Sequence, residues 1–286
     1  MKRSLWTNAL LLAVVAALGL IVYFRPKSGA PVEYALSALK PAEARSLRIE
    51  REGAPAIALE RRQDAWFLVA PLAARADEFA VERLLAIVQA KAAYRFPATD
   101  LARFDLERPQ ARLVVEGQSF AFGIVSEVAR EQYVLTGDAV YAVNPRYGMA
   151  LPATAAAMVS RRLFAPGEAP VRIETKELAV AQRDGRWIVT PAEEGLSQDD
   201  LNRWVDDWRL ASALRVEPHT KGKAQAEIRI SLKESGTLSL AVLSREPELV
   251  LLRPDEKLQY HFSAATAKRL LSPPGAGARS APAGKK

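Results

Sequence analysis

Twenty-one consecutive residues, Ser4 to Phe24, carry no charge, with Lys2 and Arg3 before them and Arg25 and Lys27 after. Backbone amides inside a bilayer have no water to bond, so such a run is stable in lipid only as a helix. As a helix it spans about 31 Å at roughly 1.5 Å per residue, close to a hydrocarbon core of about 30 Å. Leu5 and Trp6 stand at one end and Tyr23 and Phe24 at the other, where amphipathic rings settle at the interface. Arg25 and Lys27 can reach the headgroups. These six are the expected anchoring residues.

The competing reading is a cleaved leader ending at Ser28-Gly29-Ala30. The run is longer than the apolar core of a typical leader, and Pro31 follows the small residues, so an uncleaved anchor is favoured. A lipid-modified leader needs a cysteine, and the chain has none. With two cationic side chains on each side, the positive-inside rule gives a slight push toward a cytoplasmic N-terminus. The general habit of N-terminal anchors points the same way. The expectation is a single-pass protein of a bacterial inner membrane with a periplasmic body.

The net charge of +7 belongs to the ends of the chain. Lys2, Arg3, Arg25, Lys27, Arg279, Lys285 and Lys286 lie in segments without a single acidic residue; setting these seven aside leaves 33 basic against 33 acidic residues over 28–271. A nucleic-acid binder concentrates its charge on the folded face that meets phosphate, so no nucleic-acid partner is expected. The absence of cysteine removes disulfides, thiolate nucleophiles and zinc–sulfur sites.

The body reads as two similar passages about 120 residues apart, behind a linker over 28–46. IALERRQDAWFLVAP (Ile57–Pro71) alternates around a Gln63-Asp64 break, and LAVAQRDGRWIVTP (Leu178–Pro191) around Asp184-Gly185, a strong hairpin turn. An amphipathic helix follows each. The first carries Ala76, Phe79, Ala80, Leu84, Ile87 and Val88 on one face, with Asp77 near its N-cap. The second carries Leu201, Trp204, Val205, Trp208 and Ala211, opened by a Ser197-x-x-Asp200 capping box. Each passage returns to a strand meander and closes in a helical stretch, roughly Pro145–Arg162 and Ala264–Leu271. The expected fold class is α+β: two tandem repeats (47–165 and 166–271), each a mainly antiparallel sheet with packed amphipathic helices. They follow a transmembrane segment (1–27) and precede a disordered tail (272–286) without core-forming residues.

Few residues offer chemistry. His219 and His261 are 42 positions apart, without ligand spacing, and read as isolated surface histidines; no metal is expected. The acidic pairs Glu193-Glu194, Asp199-Asp200 and Asp206-Asp207 point about 100° apart on a helix and do not converge, so they read as solvated surface. No G-x-S-x-G or phosphate loop occurs. Trp204 and Trp208, at helical spacing, and Trp66 and Trp187, at equivalent positions of the two passages, read as core residues rather than a ligand platform. No catalytic residue and no cofactor are expected.

The passage from residue 45 to 160 resembles the bacterial domain-of-unknown-function family 4340 (DUF4340). The features that carry this are W-F-L-V-A-P (Trp66–Pro71), the helix opening at Ala76-Asp77, FDLERP (Phe104–Pro109) and QYVLTGDAVYAV (Gln132–Val143). Residues 170–270 look like a degenerate second copy. Asp105 stands where the family usually has glycine, and the second copy has HTKGKAQ in place of FDLERP. The resemblance implies an N-terminal membrane anchor and no assigned enzymatic activity. Some family members are encoded beside an ABC-type export system associated with gliding motility. The expected function is therefore a non-enzymatic envelope adaptor or auxiliary subunit of a membrane transport or assembly complex, its partners the bilayer and a membrane protein. The alternative is a periplasmic lipid- or glycan-binding module using a cleft between the repeats.

Overall fold

A computed structural model describes residues 11–18, 20, 33–192, 195–234 and 236–272. Residues 11–18 and 20 are helical (α1), and every one of them is exposed. Among the described residues no helix is long and apolar enough to cross a membrane. The six expected anchoring residues, Leu5, Trp6, Tyr23, Phe24, Arg25 and Lys27, lie outside the described residues, as do the tail from 273 and the pair Glu193-Glu194.

The body is mostly antiparallel sheet with a few helices. The expected linker is partly packed. Tyr34–Ala35 (β1) pairs with Lys91–Ala92 (β6), and Leu36 and Ala44 are buried. The first large sheet is built from Ser46–Glu50 (β2), Ile57–Arg62 (β3), Ala65–Ala70 (β4), Ala74–Arg75 (β5), Tyr94–Pro97 (β7), Ala111–Val115 (β8), Gln118–Val125 (β9), Gln132–Thr136 (β10) and Ala139–Val143 (β11). Its order is β5-β4-β3-β2-β8-β9-β10-β11-β7. The second contains Pro170–Glu174 (β12), Ala179–Arg183 (β13), Arg186–Thr190 (β14), Arg215–Pro218 (β15), Ala226–Leu232 (β16), Gly236–Ser244 (β17), Leu249–Arg253 (β18) and Leu258–Phe262 (β19), in the order β14-β13-β12-β16-β17-β18-β19-β15. Apart from β5, the two sheets run through their strands in the same sequence.

Local chemistry explains the elements that alternate. Asp184 and Gly185 both take positive φ (49° and 77°), the geometry a two-residue hairpin needs to match strand twist. Glu78–Leu85 (α2) is capped by Asp77, whose carboxylate accepts from Ala80 N at 3.1 Å. Gln198–Arg209 (α4) opens with the complete Ser197/Asp200 capping box. Ala264–Leu271 (α5) packs on α4, where the indoles of Trp204 and Trp208 donate to Ser272 O (2.9 Å) and Leu270 O (3.1 Å).

Two helix expectations fail. The helix expected over Pro145–Arg162 is only Arg146–Met149 (α3) and a 3₁₀ turn at Ala155–Met158. Pro152 holds the preceding residue away from helical geometry, and the chain beyond 158 finds better partners in extended form. Phe79 is not on the buried stripe of α2, being 74% exposed. At about 100° per residue the stripe is Ala80, Val81, Leu84 and Leu85, and Phe79 falls on the opposite side.

Candidate functional site

The passage joining the two sheets is extended chain with partners on both edges. Toward the first sheet, Asp77 N donates to Met158 O (2.7 Å) and Ser160 N to Arg75 O (2.8 Å), and Val159 bridges Ala76. Toward the second, Ala213 N donates to Arg161 O (2.8 Å) and Leu163 N to Ala211 O (3.2 Å), and Arg162 bridges Ser212. Backbone groups taken out of water must find partners, so this double pairing fixes the connector to both halves.

A buried ion network reinforces it. Arg253 of β18, 3% exposed, sets Nη1 and Nη2 each 2.8 Å from the two carboxylate oxygens of Glu168 on the connector. The same guanidinium donates to Leu163 O (2.7 Å) and to Asp255 (2.8 Å). Arg75 reaches across from β5. It pairs with Glu256 and donates to Arg162 O (2.8 Å) and Tyr260 Oη (3.0 Å), while Tyr260 donates to Glu256. Burial opposes charge on Arg253 and Glu168, but their bidentate contact outweighs it. The guanidinium pKa is raised and the carboxylate held below its ordinary range. Burial likewise pushes the Tyr260 hydroxyl up.

Beside the connector opens a cleft of about 950 Å³ lined by both halves. Trp66 and Phe164 contribute buried apolar surface at 7% and 5% exposure. Phe79 and Leu210, at 74% and 68%, stand out into it from α2 and from the C-terminal end of α4. Arg161 and Arg162 also line it; both are exposed, and neither guanidinium has an ion-pair or hydrogen-bond partner among the described residues. Sequence reasoning missed this pair because a connector has no periodicity to mark its outward side chains.

The structure scatters the other singled-out residues. Trp66, Trp187, Trp204 and Trp208 are all buried, at 9% exposure or less, in the core rather than around one site. His261 is a correction: it is 7% exposed, with Nδ1 2.9 Å from Arg215 and 3.2 Å from Glu248. Its strand β19 lies between β18 and β15, which shields it as an isolated reading of the sequence could not foresee. His219 is half-buried. Asp206 pairs with Arg209 (3.3 Å) and Asp207 with Arg269 (3.4 Å), each a surface ion pair.

A family model described as "Domain of unknown function (DUF4340)" matches residues 66–244, from β4 in the first sheet, through the connector, to the last residue of β17 in the second. No curated protein and no solved structure matches the chain.

Proposed function

Because the chain belongs to the DUF4340 family, whose domain carries no assigned function, we propose from its own geometry that it is a non-enzymatic, membrane-anchored envelope adaptor, an auxiliary subunit of a membrane transport or assembly complex. In this reading the run from Ser4 to Phe24 is the anchor, and the body lies in the periplasm. The two sheets of like strand order are tandem copies of one unit, locked together by the connector, which the Arg253–Glu168 pair ties to the second sheet, and by the Arg75–Glu256 pair.

The observation that carries the reading is the exposure of Phe79 and Leu210 at one cleft. Large apolar side chains held out together by well-capped helices mark a surface made to be covered. A lipid- or glycan-binding module is less well supported. The tryptophans that could stack on a sugar are buried, and the cleft is open rather than an enclosed apolar tunnel.

The test is purification of the tagged full chain, at native expression level, from membranes solubilised in mild detergent. Near-stoichiometric recovery of a membrane protein supports the adaptor reading, and recovery of the chain alone overturns it.

A further inference from the structure

We infer that the interlobe cleft takes an acidic, amphipathic segment of a partner polypeptide, with apolar side chains seated between Phe79 and Leu210 and carboxylates on Arg161 and Arg162. This rests on the adaptor reading and names the occupant of its site.

The charge inventory points to the sign. Of the cleft's other cations, Arg75 is spent on Glu256 and Arg209 on Asp206. Of its anions, Glu168 is spent on Arg253, and Asp77 caps α2. Glu78 is exposed in the first turn of α2, where the helix dipole favours negative charge. Asp77 and Glu78 have no cation partner among the described residues, so the α2 side of the cleft is negative and the connector side, with its pair of adjacent guanidiniums, is positive. Ala213 N donates to Arg161 O, Arg162 bridges Ser212, and Arg162 O accepts from the Arg75 guanidinium, so their position is set before any partner arrives.

The apolar residues point to the class. A small anion would satisfy Arg161 and Arg162 but leave Phe79 and Leu210 in water. A purely apolar ligand would do the reverse. A peptide with carboxylates on one face and leucine-like residues on another meets both demands, as amphipathic segments in grooves do. The volume of about 950 Å³ is at the upper end of small-ligand sites, and the cleft is open, which suits a length of chain.

The experiment uses the full chain in detergent micelles and three fluorescein-labelled peptides of about 16 residues, long enough for marginal helicity. One is Leu/Glu amphipathic, one has Lys for Glu, and one has Ser for Leu. Binding is read by fluorescence anisotropy. The Leu/Glu peptide should bind with a micromolar Kd, and each control about tenfold or more weaker. F79S should weaken the first peptide by about tenfold, and so should R161S/R162S, the latter with loss of salt dependence. Circular dichroism melts of both variants should match the parent, since these side chains are exposed. Equal binding of the three peptides, or variants that bind like the parent, overturns the inference. So does displacement of the peptide by phosphatidylglycerol vesicles in an R161S/R162S-sensitive manner, which would mark a lipid surface as the occupant. The two readings fail separately. A membrane partner recovered equally by F79S and parent chain leaves the adaptor standing and removes the cleft's role. Selective peptide binding with no partner recovered supports the cleft chemistry and overturns the adaptor.

Discussion

The side-chain amide of Gln198 pairs with the backbone of Trp187 at two points: Trp187 N donates to Oε1 at 3.1 Å, and Nε2 donates to Trp187 O at 2.7 Å. β14 is an outer strand of the second sheet. In the first sheet the corresponding strand, β4, is covered by β5, and Trp66 O accepts from Ala76 N at 2.8 Å. Gln198 thus does with one side chain what residues 74–76 do with backbone, and blunts an edge that could pair with another chain.

Replacing Gln198 by Ala leaves both groups of Trp187 without this partner. The expected loss is about 1–3 kcal/mol in urea unfolding, with new self-association in light scattering. An unchanged midpoint and an unchanged mass would show that the edge is protected by something else.

Arg253→Met should destabilise by roughly 3–5 kcal/mol, because it strands the carboxylate of Glu168 at the connector. Adding Glu168→Leu should recover part of that loss, since the double variant removes the orphaned charge as well as its partner. Denaturant titrations of the four proteins give the coupling directly. Strictly additive effects would mean the two side chains do not act as a pair.

Acid should loosen the body through the same groups. Burial alone would raise both Glu168 and Asp255; contact with Arg253 outweighs it and holds both below the ordinary range. A carboxylate depressed in the folded state contributes stability in full above its unfolded value, about 4, and loses it as pH falls through the folded value. Melting temperature should therefore be level from neutral pH to about 5 and drop below about 4, with a shallower drop in Arg253→Met. Parallel profiles for the two proteins would remove the network from the explanation.

Asp105→Gly should be neutral or stabilising, by up to about 1 kcal/mol. Asp105 sits at φ 56°, ψ 41°, the left-handed region, as the residue that ends the 3₁₀ turn Leu101–Phe104. Glycine occupies that region without a Cβ penalty. A thermal melt decides, and a clear drop would assign the aspartate side chain a contact of its own.

The sequence by itself determined the parts whose causes are local. The hairpins at Gln63-Asp64 and Asp184-Gly185, the capping box of α4, helix α5 and the predominance of antiparallel sheet follow from turn residues, caps and a period of two. The burial of the four body tryptophans agrees with the apolar pattern around them. Tertiary structure alone decided the rest. Tyr94–Pro97 and Arg215–Pro218 become strands only because β11 and β19 offer them edges. Phe104 of the FDLERP passage finds its place against Phe96 and Tyr133, which arrive from two separate strands. Arg75 and Glu256, 181 residues apart, are brought together only by the packing of one half on the other. Periodicity records which side of an element avoids water. It carries no record of which distant edge or charge will be there to replace that water, and both the connector and its cleft are made of such replacements.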